Sequence, residues 1–183
     1  DTFGPELSFG ETLREQLTDK IAIAKFTHSG SQIIDWTPEG SMAEDRHLYP
    51  RFISFIKEAI KELEDKGNEV ELTGIFYHLG ENDMSFHPYR KQAAERLQAI
   101  IKQSREDLSM PGLKWFVSQQ PPTDDKRVNN LDVVADVEKV AAADEAIIHL
   151  KAFDLPPQEK KLVINTAGIV RLGEFLAKGY LKN

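Results

Sequence analysis

The chain contains no cysteine, which excludes disulfides, thiolate metal centres and thiol nucleophiles while leaving the compartment open. It has no apolar run near the roughly 20 residues that a membrane-spanning helix needs, so no membrane partner is expected. Positive charge is in deficit: 23 Lys and Arg face 30 Asp and Glu, for a formal net charge of −7. Such a surface repels phosphate backbones, and nucleic acid is not an expected partner. No Gly-x-Gly-x-x-Gly or Walker phosphate cradle occurs, and no His-x-x-x-His or His-Glu-x-x-His spacing. No cofactor and no metal is therefore called for. No signal sequence is visible from Asp1 onward, which is compatible with export as well as with retention.

What is present is an ordinary globular balance. Apolar residues make up 40% of 183 and charged residues 29%, enough for one domain over residues 1–183 with a substantial core. No repeat, low-complexity tract or linker divides it. Strand and helix patterns alternate. Ile21–Thr27 is a short, nearly continuous apolar run that reads as a strand buried on both faces. Phe52, Phe55, Ile56, Ala59, Ile60 and Leu63 follow helical spacing, with Gly67 as the stop. Glu71–His78 reads as the second strand. Pro88 opens a helix carrying Tyr89, Ala93, Leu97, Ile100, Ile101 and Leu108 on one face, ended by Pro111-Gly112. Lys114–Gln119 is the third strand, Val133–Ala143 a helix and Ala146–Ala152 the fourth strand. A closing helix presents Leu172, Phe175, Leu176 and Tyr180. Strands separated by helices of ten or more residues imply βαβ units, hence an α/β three-layer sandwich around a parallel, flavodoxin-like sheet. In such sheets function gathers in loops at the carboxyl ends of the strands.

Two of those loops carry chemistry. After the first strand come His28-Ser29-Gly30-Ser31 and then Trp36. A glycine there lets backbone approach a ligand, and its N–H can donate to a developing oxyanion. After the second strand come Gly80-Glu81-Asn82-Asp83. An asparagine amide donates to an oxyanion without adding charge or a competing proton. Each loop is equally an ordinary turn of small polar residues. Five histidines exist: His28, His47, His78, His87 and His149. His28 and His78 end strands on the presumed active edge, whereas His149 lies inside a strand and reads as buried structure.

Taken together, the blocks Gly4-Pro5-Glu6-Leu7-Ser8-Phe9-Gly10, Ile23-Ala24-Lys25-Phe26 leading to Ser29-Gly30-Ser31 and Trp36, and Gly80-Glu81-Asn82-Asp83 resemble a known family. So do Asn165-Thr166-Ala167-Gly168, Leu172-Gly173 and Phe175-Leu176-Ala177. All are similar, in order, to the sialate O-acetylesterase and acetylxylan-esterase-like branch of the SGNH hydrolases. The resemblance implies that Gly30 and Asn82 are oxyanion-hole donors, that Glu81 and Asp83 shape the loop, and that Trp36 lies near the sugar face. His28 and His78 are the histidines best placed to join them. The implied partner is an acetylated carbohydrate or glycan.

The departures matter as much. The family's serine sits in a Gly-Gln-Ser-Asn-like block on a strand ahead of the Gly-Pro-Glu segment, which these residues do not include. Its acid–base pair, Asp-x-x-His, falls at Lys160 and Val163, and its glutamine before Gly-Glu falls at Leu79. The expectation is a domain lacking its first strand, completed by a missing segment or a second chain. Two functions follow: a carbohydrate O-acetylesterase, or a silent relative that binds glycan or protein with the inherited cleft.

Overall fold

The computed structural model describes residues 3–43, 45–79, 92–119, 130–152, 155 and 164–183, and the side chains of these except residues 130–133. In chain order the elements are α1 (Glu6–Arg14), a 3₁₀ turn (Ile33–Trp36), α2 (Tyr49–Asp65), β1 (Ile75–Leu79) and α3 (Ala93–Asp107). They continue with β2 (Trp115–Gln119), α4 (Asn130–Ala142), β3 (Ile147–Leu150) and α5 (Thr166–Leu181). Among the described residues three strands form one sheet, in the order β1-β2-β3. Both pairings are parallel, with Ile75 opposite Trp115 and Trp115 opposite Ile147.

The pleat sends alternate residues to two separate cores. Ile75, Trp115, Val117 and Ile147 face a cluster built with Ile56 of α2, Leu97, Ile100 and Ile101 of α3, and Val137 and Val140 of α4. Phe116 and Leu150 face Phe9 and Leu13 of α1 and Leu172, Leu176 and Ala177 of α5. The result is the expected three-layer α/β arrangement, with both crossover helices on one face. β2 is buried along its whole length, which is why its sequence reads as an unbroken apolar run until Ser118 and Gln119.

Helix boundaries follow local chemistry. Gly67 closes the turn after α2 with φ +81°, a left-handed conformation in which a side chain is strained. Asn165 caps α5, its side chain accepting from the Gly168 N–H at 2.8 Å, as a helix start requires. α1 and the 3₁₀ turn have no counterpart in the periodicity reading. α1 packs on α5 because Gly173 has no Cβ: one placed there would run into the Pro5 carbonyl oxygen and Ser8 Oγ and lie 2.8 Å from the Phe9 nitrogen.

One expectation is corrected. Residues 21–27 form no strand, and among the described residues the sheet ends at β1. The segment nevertheless keeps the alternation of a sheet. Ile23 lies against Gly10 and Lys25 pairs with Glu6 at 2.8 Å, both on α1, while Phe26 turns the other way to meet Trp36, Phe52 and Phe55. β1 touches the same two layers, through Phe9–Phe76 at 4.7 Å and Trp36–Tyr77 at 6.2 Å. A strand is defined by its ladder of backbone hydrogen bonds, and no described residue supplies one to 21–27. The apolar pattern was right about the layers and wrong about burial: Ile21 and Ile23 are 36% and 42% exposed. Phe3 and Leu7 are exposed as well, so among the described residues four of the seven exposed large hydrophobics fall before residue 24. The strands that do form are shorter than the patterns, β1 beginning at Ile75 rather than Glu71 and β3 spanning only Ile147–Leu150.

Candidate functional site

The turn after residues 21–27 is closed by the Ser31 N–H donating to the His28 carbonyl at 3.3 Å. Gly30 occupies its third position with φ +67°, the position at which such turns favour glycine. It is exposed. His28 Nδ1 donates to the Ser29 carbonyl at 3.1 Å. Arg46 Nη1 donates to the Gly30 carbonyl at 2.8 Å and reaches Asp35 Oδ2 at 3.2 Å. Asp35 is buried, its side chain 2% exposed, and the same Oδ2 accepts the Gln32 N–H at 2.9 Å. Its carbonyl also accepts from the Leu48 N–H. Neither Asp35 nor Arg46 stands out in the sequence, because their partners are set by the turn rather than by spacing.

Trp36 follows in the 3₁₀ turn and meets Phe26, Phe52 and Tyr77 nearly edge-on, at interplanar angles of 89°, 79° and 72°. It is only half-buried. His78 lies in β1, in register with Ser118 of β2, and its Nδ1 shares a 2.8 Å hydrogen bond with Ser118 Oγ. Ser118 is fully buried. A hydroxyl without access to solvent cannot attack an ester, so its chemistry here is to orient the His78 ring. Sequence reasoning missed Ser118. The available signal was the polar pair Ser118-Gln119 ending an otherwise apolar strand.

On the opposite face of the sheet, His149 Nε2 donates to Gln119 Oε1 at 2.7 Å, as expected of a structural histidine in a strand. Gln119 is fully buried. Burial, reinforced by the positive charge of Lys151, lowers the His149 pKa to about 4, with Glu138 opposing. The imidazole is therefore neutral at pH 7 with its proton on Nε2. Asp144 is held below the usual carboxylate range by its hydrogen bond from Arg105, which ties α3 to the start of β3 at the amino edge of the sheet.

Gly80, Glu81, Asn82 and Asp83 lie outside the described residues, as do His87, Lys160 and Val163. Of the expected site residues, the structure holds His28 and Gly30 in one turn, sets Trp36 in the following 3₁₀ turn against Phe26, Phe52 and Tyr77, and places His78 near the carboxyl end of β1. Among the described residues no group of three or more His, Asp or Glu side chains could hold a metal ion, and no helix is long and apolar enough to cross a membrane.

Comparison with curated proteins finds no match. Among solved structures, an X-ray structure of an Arabidopsis thaliana protein superposes with a TM-score of 0.80 over 99% of this chain and 69% of that one, at 22% identity. A likeness at that identity speaks to the fold, and it supports the α/β sandwich. The model of a carbohydrate-esterase family, the sialic acid-specific acetylesterases, matches residues 1–182. With that match running nearly end to end, the chain belongs to the carbohydrate-esterase family of sialic acid-specific acetylesterases.

Proposed function

We propose that this domain removes acetyl groups from a sugar or glycan by serine acylation, with the Gly30 N–H and the Asn82 side-chain amide stabilising the tetrahedral oxyanion. The observation that carries the reading is the Gly30 turn. It presents a backbone donor at a left-handed glycine beyond the end of an extended segment, where an acyl-transfer site needs one. Trp36 would flank the sugar ring, and Glu81 and Asp83 would hold the Asn82 loop. His28 or His78 would serve as base, because Lys160 and Val163 cannot.

The serine is carried, in this reading, on a strand seated between β1 and residues 21–27. What supports this is that β1 and residues 21–27 touch the same two helical layers while no ladder joins them among the described residues. Inserting it would give both a ladder, at the usual spacing of about 4.8 Å on each side. It would also cover the apolar side chains exposed before residue 24. In this reading the occupant is a segment outside the described residues or a second chain.

The test compares the polypeptide of residues 1–183 with the same chain preceded by a serine-bearing strand, assayed on p-nitrophenyl acetate and an O-acetylated sugar. The shorter chain is expected to give no turnover above background, since removing triad members leaves only residual acceleration. The longer one should show saturable hydrolysis, and Asn82→Ala should lower its kcat by about 10²–10³. Saturable hydrolysis by residues 1–183 alone, abolished by Asn82→Ala, would overturn the strand proposal and direct replacement to His28 and His78. A longer chain that binds acetylated glycan without hydrolysing it would favour the silent-binder reading, for which the residues at positions 160 and 163 already speak.

A further inference from the structure

Gly30 can stabilise an oxyanion only if its N–H points in one direction before substrate arrives. A glycine at positive φ is otherwise the most mobile residue a loop can contain. Its two flanking peptide planes are the whole of what needs holding, and both are held. In a trans peptide the carbonyl and the following N–H point in opposite directions, and no peptide here is cis. The Ser29 carbonyl accepts from the His28 ring at 3.1 Å, so the Gly30 N–H points away from that ring. The Gly30 carbonyl accepts from Arg46 Nη1 at 2.8 Å, so the Ser31 N–H points away from Arg46, toward the His28 carbonyl that it meets at 3.3 Å. The Gly30 N–H itself has no acceptor among the described residues.

Arg46 comes from 16 residues further along the chain, in an exposed connection before α2. Its anchor is Asp35. That carboxylate is buried, carries the Gln32 N–H on the same oxygen as Arg46, and through its carbonyl receives the Leu48 N–H. The guanidinium therefore bridges a buried charge to the carbonyl of the second of the two peptide planes that flank Gly30. Arginine suits this bridge because several donors in a fixed plane reach two acceptors at once, whereas an ammonium is a single point.

We propose that Arg46, anchored by Asp35, is a positioning residue: by holding the Gly30–Ser31 peptide plane it keeps the turn closed, and the closed turn, with the His28 ring on the preceding plane, pre-organises the Gly30 N–H as an anion donor. The proposal rests on the esterase reading for its catalytic consequence, but not for its structural one, and the two are tested separately. In the chain of residues 1–183 labelled with ¹⁵N, relaxation measurements give the Gly30 backbone order parameter. The wild type should lie near about 0.85 and Arg46→Ala below about 0.6, the values of rigid and flexible backbone. Arg46→Lys preserves the charge facing Asp35 and so keeps the fold even if Arg46→Ala does not. It should give an intermediate order parameter. An unchanged Gly30 order parameter in folded Arg46→Lys and Arg46→Ala would overturn the proposal.

In the chain carrying the serine strand, Arg46→Lys should lower kcat for p-nitrophenyl acetate by about tenfold with KM within about twofold, since an oxyanion donor acts in the transition state and not on the bound ester. A change in KM alone would overturn the positioning role. If the wild-type longer chain is inactive, the esterase reading falls, and the Gly30 order parameter alone decides whether Arg46 aims the turn.

Discussion

His149 makes the stability of this fold depend on pH in a way that can be worked out in advance. Its ring sits half-buried in β3 with Nε2 on Gln119, and burial lowers its pKa from 6.5 to about 4. Between those values the unfolded chain takes up a proton that the folded chain refuses. Acidification therefore favours unfolding. The stabilising contribution is fully present above pH 6.5 and is lost as pH falls toward 4. At 1.36 kcal/mol for each factor of ten in the proton equilibrium, the ceiling is about 3 kcal/mol. The ring is partly open to water, and solvent screening brings the expectation to about 1–2 kcal/mol. Urea denaturation at several pH values between 4 and 7, on the wild type and on His149→Leu, measures it. The substitution leaves the Gln119 Oε1 without its donor, an offset of about 1–3 kcal/mol at every pH. The difference in stability between the two proteins should narrow by about 1–2 kcal/mol from pH 7 to pH 4. Parallel curves would refute the reasoning, because carboxylates common to both proteins cancel in the difference.

Gly173→Ala should destabilise by roughly 1–3 kcal/mol by prising α1 from α5, whereas Gly112→Ala, where an added Cβ would meet nothing within 4 Å, should stay within about 0.5 kcal/mol. Thermal or urea melts of the two variants check the contrast. Ser118→Ala removes the hydroxyl that orients His78 and should cost about 1–3 kcal/mol, with the His78 ring resonances in the ¹H–¹³C spectrum shifting while those of His47 stay fixed. Phe9→Ala opens the contact of α1 with Phe76 on β1 and should cost about 3–5 kcal/mol, read as a lower midpoint of unfolding.

The elements that close their own hydrogen bonds were legible in the sequence. α2, α3 and α5 satisfy nearly all their backbone groups four residues back, so apolar spacing and a stop such as Gly67 suffice to locate them. The apolar runs of β1, β2 and β3, separated by helices, were enough to infer a parallel sheet, because a parallel pair needs a long crossover. Residues 21–27 show where that reasoning ends. Alternation told which layers Ile23 and Phe26 touch, but whether the segment is a strand depends on a neighbour that alternation does not contain. The candidate site divides in the same way. Gly30, Asn82, His28 and His78 were picked out by residue type and by the loops they occupy. The hold of Arg46 and Asp35 on the Gly30 turn, the contact of Ser118 with His78 across two strands, and the pairing of Gln119 with His149 came only with the tertiary structure. Each joins residues between 11 and 40 positions apart, and a hydrogen bond at that separation follows from where the chain is folded, not from the residues between.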